Sequence, residues 1–242
     1  SIGTLYSPAG IYLSSNALSG CTSSKVVIES GRSSLPSKLF YGNTHVVTIS
    51  IPDSVASIGT ACFSGCSRLI SVSIPSEISE IPDSCFSGCS SLSGISIPSG
   101  VIKVGSSAFS GCANITTIDF STNLKEIGDQ AFENCLKLAQ ITTNRTVTFP
   151  TVTVIGSHAF YGTAINTLII PDTVTTIGSA AFEGCKQLTE VYIGDKVTDI
   201  PNSCFNKCKS LYKVTIGKKV TRIGEHAFSY ALSNDRYDAD II

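Results

Sequence analysis

A phenylalanine returns along this chain at Phe40, Phe63, Phe86, Phe109, Phe132, Phe160, Phe182, Phe205 and Phe228, in steps of 23, 23, 23, 23, 28, 22, 23 and 23. Leu18, one further step of 22 before Phe40, extends the series to ten anchors. A fixed period of this length means that one short structural unit is stacked many times. A unit so small cannot bury its own apolar face, whereas stacked copies bury a continuous core between them.

Each unit can be decoded from its residues. Six positions past Phe63 comes Leu69, then Val72 and Ile74; the same slots hold Leu92, Ile95 and Ile97, and later Leu211, Val214 and Ile216. The run Val72-Ser73-Ile74 alternates apolar and polar, the period of a strand with one buried face. Proline or glycine follows in most units (Pro52, Pro75, Pro98, Pro171, Gly194, Gly217) and ends the strand. An inward pair comes next, as in Val55/Ile58, Val101/Val104 and Val174/Ile177. After it stands Gly (Gly59, Gly105, Gly128, Gly156, Gly178, Gly224) or Pro (Pro36, Pro82, Pro201). Because proline fits, φ there is expected in proline's own negative range, and these glycines are not needed for a positive φ.

The following slot reads Ser37, Thr60, Asp83, Ser106, Asp129, Ser157, Ser179, Asn202 and Glu225, and eight of these nine are helix N-cap types. Two past the phenylalanine comes Gly42, Gly65, Gly88, Gly111, Asn134, Gly162 or Gly184, residues that tolerate a left-handed helix stop. A cap and a stop predict a single helical turn between them. The expected architecture is therefore α/β: a right-handed solenoid of about ten coils, with a repeat length of 22 to 23 and one coil of 28. A parallel sheet lines its concave side and one-turn helices its convex side. The whole of residues 1–242 reads as one domain, with regular coils over about 11–231. Ser1–Gly10 and Tyr230–Ile242 lack the anchors and are expected to be caps or frayed ends.

The repeat spells LxxIxIPxxVxxIGxxAFxGC, as in Leu69-Ile70-Ser71-Val72-Ser73-Ile74-Pro75 running on to Phe86-Ser87-Gly88-Cys89. It resembles the BspA-like leucine-rich repeats of surface proteins from oral and gut bacteria and from trichomonads, over roughly residues 11–231. The resemblance implies a cell-surface or secreted protein, of a family associated with adhesion to host matrix proteins or to other cells. The family supplies no ligand-binding motif to carry over. Three coils depart from the pattern, with Asn43, Thr163 and Ala231 where cysteine usually stands, and the coil ending at Phe160 is five residues longer.

Charge narrows the partners. With 17 basic and 18 acidic side chains the net charge is −1, which gives no electrostatic reason to expect nucleic acid or an anionic membrane. No apolar run approaches the roughly 20 residues of a membrane span, so insertion by this segment is not expected. Ser1–Gly10 does not read as a signal peptide, and a chain without methionine reads as a mature or excised piece of something longer.

The ten cysteines follow the repeat: seven lie three past the anchor (Cys21, Cys66, Cys89, Cys112, Cys135, Cys185, Cys208) and three lie one before it (Cys62, Cys85, Cys204). Both are core slots, and small buried free thiols are expected rather than disulfides or metal ligands. His158 and His226 share a slot three coils apart and cannot act together. No catalytic, cofactor or metal motif is present, so no enzyme, cofactor or metal is expected.

Binding residues are sought on the outward strand slots, where solenoids present their concave surface. Early coils offer Thr48/Ser50, Ser71/Ser73 and Gly94/Ser96, which anchor little. Later coils offer Ile169, Glu190, Tyr192, Tyr212, Lys213 and Thr215, with the size and charge of hot-spot residues. The inserted segment within Thr143–Thr151 adds Asn144 and Arg145, and inserted loops are common binding elements. Asn144-Arg145-Thr146 is also a glycosylation sequon, as is Asn114-Ile115-Thr116 in a less accessible place. Residues 196–222 carry Lys196, Lys207, Lys209, Lys213, Lys218, Lys219 and Arg222 against Asp199, which reads either as a basic patch for sulfated glycans or acidic proteins, or as a solvated surface. The expected function is adhesion, with a protein or glycan of a host matrix or another cell as partner. The alternative is a spacer with no ligand of its own.

Overall fold

The structure, a computed structural model, describes residues 3–143, 149 and 151–231. The alternating segments form the long strands Thr4–Ser7, Lys25–Ile28, Thr48–Ser50, Thr117–Phe120, Gln140–Thr143, Thr167–Ile170, Glu190–Ile193 and Lys213–Thr215, with the shorter Ser71–Val72 among them. Every pairing is parallel and places equivalent residues side by side, as in Leu168↔Val191↔Val214. Single bridges at Ser71↔Gly94 and Ser96↔Asp119 carry the sheet past the coil that forms no strand of its own there. Alternate residues such as Ile49, Val72, Ile118, Leu168 and Val191 are buried, which is why the alternation is present at all. Of the two expectations for the N-terminal residues, a cap or a frayed end, the paired strand has the form of a cap. Thr4–Ser7 is a full rung, paired with Lys25–Ile28, rather than a frayed end.

The second member of the inward pair, as in Ile58, Val104 and Ile177, belongs to a second parallel ladder of two-residue strands. Glu80–Ile81, Lys103–Val104, Glu126–Ile127, Val154–Ile155 and Thr176–Ile177 pair in succession, with Ser34–Leu35 on Ser57–Ile58 before them and Asp199–Ile200 on Arg222–Ile223 after them.

The expected convex helices are not there. No helix occurs among the described residues, and each coil instead makes consecutive tight turns. Cys62 N–H donates to Gly59 O and Cys66 N–H to Phe63 O, while Ala61 (φ 53°) and Gly65 (φ 76°) take the left-handed conformation at the third turn position. This is the pattern of two type II turns. The alternate donors point along the solenoid: Ala61 N–H reaches Asp83 O, Phe63 N–H reaches Cys85 O, and Gly65 N–H reaches Ser87 O. A helix would spend all these groups within its own coil. Here half of them cross-link coils, and the backbone is satisfied without a helix. The residues read as N-caps serve the same cross-linking. Ser106 N–H donates to Asp83 Oδ1, Ser157 N–H to Asp129 Oδ1, and Glu225 N–H to Asn202 Oδ1. The preceding glycines do not have positive φ, as the alternation with proline required. Gly59 answers instead to crowding, since an added Cβ would lie 2.2 Å from the Ser37 backbone nitrogen.

Three hydrogen-bonded walls enclose one core. Its axis is a stack of nearly parallel rings, Phe40, Phe63, Phe86, Phe109, Phe132, Phe160, Phe182, Phe205 and Phe228, with centroids 5.2–5.5 Å apart. Such offset pairs add about 0.5–1.5 kcal/mol each beyond their buried area. All ten cysteines are free thiols, nine of them buried. The slot three past the anchor does more than fill space. Cys89, Cys112 and Cys135 donate to the carbonyls of Phe63, Phe86 and Phe109 in the preceding coils. Each of those carbonyls already accepts one backbone N–H, so the thiol fills its second lone pair. The departures Asn43 and Thr163 are also donors, but only Asn43 reaches the preceding coil, while Thr163 donates within its own. Asn43 Nδ2 donates to Leu18 O and Cys21 O, and Thr163 Oγ1 to Phe160 O.

The long coil perturbs one wall only. The inserted residues fall between Thr143, paired with Phe120, and Phe149, which is buried and stacks on Phe120 at 6.5 Å and edge-on to Phe160 at 5.6 Å. Phe149 thus takes the inward place held by Ile74 or Ile170 elsewhere. Among the described residues, no pairing joins Gln140–Thr143 to Thr167–Ile170. The turn wall and the short-strand wall run on across this junction, through Phe132 N–H to Ala159 O and the Glu126↔Val154 pairing.

Candidate functional site

The three rungs after the junction form one continuous surface. Register places Ile169 beside Tyr192 and Tyr192 beside Thr215, with Thr167, Glu190 and Lys213 aligned one slot earlier. Parallel pairing of equivalent slots dictates this, because the outward residues of successive coils must stand in rows about 4.8 Å apart. Ile169 and Tyr192 are exposed large apolar residues, at 41% and 42%. Between these rows lies a shallow groove of about 420 Å³, floored by the buried Leu168 and Val191.

Glu190 is held from two sides. The Tyr212 hydroxyl donates to Oε1 at 2.7 Å and the Lys213 ammonium to Oε2 at 3.3 Å. The Tyr212 hydrogen bond first, and then Lys213, lower the carboxyl below its ordinary range. So the structure brings Ile169, Glu190, Tyr192, Tyr212, Lys213 and Thr215 into one cluster: an apolar row beside a fixed polar triad. The groove's own charges nearly cancel, and it presents hydrogen-bonding groups rather than a net field. Asn144 and Arg145 lie outside the described residues.

Three of the seven cations in the basic run of residues 196–222 are paired with acids. Arg222 binds both oxygens of Asp199 at 2.9 and 2.8 Å, Lys207 pairs with Glu183 at 2.7 Å, and Lys213 with Glu190. The repeat distributes these side chains over different walls. His158 and His226 occupy left-handed turn positions (φ 54° and 56°), and among the described residues no group of histidine, cysteine and carboxylate side chains could hold a metal ion. No helix among them is long and apolar enough to cross a membrane.

A stack of short parallel rungs with one residue-rich sheet face defines a leucine-rich-repeat solenoid. The chain belongs to the BspA-type leucine-rich-repeat family, whose profile matches residues 11–139 and 140–235 in six copies. Among solved structures it is similar to a leucine rich cell surface protein of Faecalibacterium prausnitzii, at 22% identity over 94% of this chain and 79% of that one, with a TM-score of 0.50. A leucine-rich repeat protein of Bacteroides ovatus aligns at 25% identity over 83% of this chain and 68% of that one, with a TM-score of 0.41. The pneumococcal vaccine antigen PcpA aligns at 17% identity over 88% and 77%, with a TM-score of 0.43. A search of curated protein sequences returns no match.

Proposed function

We propose that this chain is the binding module of a cell-surface adhesin, holding a macromolecule of a host matrix or another cell in the groove along Ile169, Tyr192 and Thr215. The observation that carries this reading is the pairing of exposed Ile169 and Tyr192 with a Glu190 already fixed by Tyr212 and Lys213. Large side chains held in place lose little entropy when a partner covers them, which is what makes such residues hot spots. An apolar side chain of a protein partner fits the Ile169–Tyr192 row, with its neighbouring polar groups meeting the triad; a glycan would use the same tyrosines and hydrogen-bonding groups. Asn144 and Arg145, outside the described residues, follow in sequence the strand Gln140–Thr143 and are proposed to extend the contact. The likeness to a protein described as a cell surface protein supports the location, and a family of repeat solenoids supports binding rather than catalysis.

A second reading has its own support. The early rungs present Ser71, Ser73, Gly94 and Ser96, too small to anchor a partner, and suit a spacer that carries the later rungs outward. The test is binding to immobilised matrix proteins and to fixed cells. Tyr192→Ala, Tyr212→Ala and Lys213→Ala combined should weaken it about ten-fold or more, while Ser71→Ala with Ser73→Ala should leave it unchanged. Equal loss from both sets, or no loss from the first with melting temperatures intact, removes the groove from the reading.

A further inference from the structure

The coil that begins at Phe160 is a residue short, as is the one at Leu18, and at Phe160 the shortfall opens a notch on a different side of the solenoid. From Phe132, Phe182 and Phe205 the chain takes six residues to the next inward leucine, at Leu138, Leu188 and Leu211. From Phe160 it takes five, to Ile165. The missing residue falls in the corner between the turn wall and the long-strand wall. Ala164 alone stands there, where neighbouring coils have Leu136-Lys137, Lys186-Gln187 and Lys209-Ser210. The result is an open cavity of about 530 Å³ lined by Ala164, flanked by Leu136 on one coil and Lys186 and Gln187 on another.

Other departures from the repeat converge on the same place. The left-handed slot two past the anchor is glycine at Gly42, Gly65, Gly88, Gly111, Gly162 and Gly184, and is Asn134 (φ 56°), Lys207 (φ 61°) and, on the last coil, Tyr230 (φ 54°); Asn134 and Lys207 line the notch. Thr163 replaces cysteine beneath it, and the half-buried Tyr161 forms another wall.

The charges are unbalanced here. Lys207 is neutralised by Glu183 at 2.7 Å, whereas Lys186 and Lys209, in the same corner slot one coil apart, have no acidic partner among the described residues. Two like charges at roughly the 5 Å coil spacing favour an anion between them.

We propose that this notch binds an acidic saccharide, a sugar carrying a carboxylate or a sulfate. The cavity lies within the range of about 300–1,000 Å³ found for small-ligand sites and holds one or two sugar rings. Tyr161 and the exposed Leu136 offer apolar surface to a ring's C–H face, the Asn134 and Gln187 amides both donate and accept towards hydroxyls, and the lysine pair reads the acid. An acidic peptide fits less well. Extended peptides need an open sheet edge or a long groove, and this notch is closed by a coil on either side. It shares no lining residue with the groove along Ile169 and Tyr192, so the two proposals stand or fall separately.

The test is calorimetric titration at low ionic strength with four probes: 3′-sialyllactose, lactose 3′-sulfate, neutral lactose and a tetraglutamate peptide. At least one of the acidic sugars should bind in the range of about 0.1–1 mM, with lactose at least about ten-fold weaker; the stronger of the two identifies the acid. Lys186→Ala with Lys209→Ala should weaken that binding about ten-fold or more without lowering the melting temperature. Insertion of one serine after Ala164, which restores the regular corner, should remove it. Tyr192→Ala with Lys213→Ala should not change it. Lactose binding as tightly as the acidic sugars, a lysine double variant indistinguishable from the parent, or no sugar binding at about 10 mM overturns the proposal. Binding of tetraglutamate alone would overturn it in favour of an acidic peptide.

Discussion

The Cys89 thiol donates to the Phe63 carbonyl of the preceding coil at 3.1 Å, fully buried, and the same contact recurs from Cys112 to Phe86. Cysteine is therefore retained for its donor as well as its size. A threonine hydroxyl at Cys89 is also a donor, whereas the natural Thr163 turns its hydroxyl to Phe160 O of its own coil. Cys89→Thr should accordingly be milder than Cys89→Val, which has nearly the same shape but no donor. The difference should be about 1 kcal/mol, the net worth of one buried hydrogen bond. Denaturant midpoints of the two variants measure it, and equal midpoints would mean that the slot selects size alone.

Thiol reactivity follows from the same burial. Desolvation pushes Cys62, Cys85, Cys112 and Cys204 well up, and Cys135 up to about 12. At pH 8 these groups hold almost no thiolate, the form that reacts. Cys21 is the partly exposed one. Native alkylation should modify Cys21 and at most one other, and denaturation should open all ten, as read by intact mass.

Removing a ring from the central stack should depend on where the ring lies. Phe109 is fully buried between Phe86 at 5.3 Å and Phe132 at 5.2 Å. Phe109→Ala should cost about 3–5 kcal/mol, because each coil is supported only by its neighbours. Phe228 is partly buried and stacks on Phe205. Phe228→Ala should cost clearly less and loosen only the last coil. Hydrogen exchange along the chain distinguishes a local opening from a global one, and an equal cost would require Phe228 to be packed as a central anchor is.

Glu190 provides a pH test. Its carboxyl is lowered from 4.5 in the folded chain, so the contacts with Tyr212 and Lys213 are present above the unfolded value and are lost as pH falls through the lower folded one. Tyr212→Phe removes the larger cause and should move the Glu190 titration, followed by side-chain NMR, back towards 4.5. A smaller move from Tyr212→Phe than from Lys213→Ala would reverse the order of causes. Partner binding through the groove should weaken below the same pH.

What the residues disclosed in advance follows a physical division. The period, the inward slots and the rows of outward residues were legible because burial acts on side-chain type, and Phe, Val, Ile and Leu record it directly. The convex turns were not. Ser37, Asp83 and Gly65 suit a helix cap and stop as well as they suit type II turns, and the deciding factor is a hydrogen bond from Ala61 N–H to another coil. The one further clue, the left-handed slot two before the anchor, is filled by Lys38, Ala61, Ser84, Gln130 and His158 and leaves no glycine signature. The rows of the sheet face could be read ahead because parallel register carries sequence slots into space unchanged. The link from Tyr212 to Glu190 was not visible, since it joins neighbouring rows across a rung. The short corner at Ala164 was visible as a step of 22, but only the cavity gave it meaning.

Among the described residues no pairing joins Gln140–Thr143 to Thr167–Ile170, which makes the solenoid mechanically uneven. The short-strand wall is interrupted in the same way between Ser57–Ile58 and Glu80–Ile81 and between Thr176–Ile177 and Asp199–Ile200, so at each of these junctions a pull along the axis falls on the other walls. Tension along the axis would therefore gather at these interruptions, so the solenoid would part in blocks of coils rather than one coil at a time.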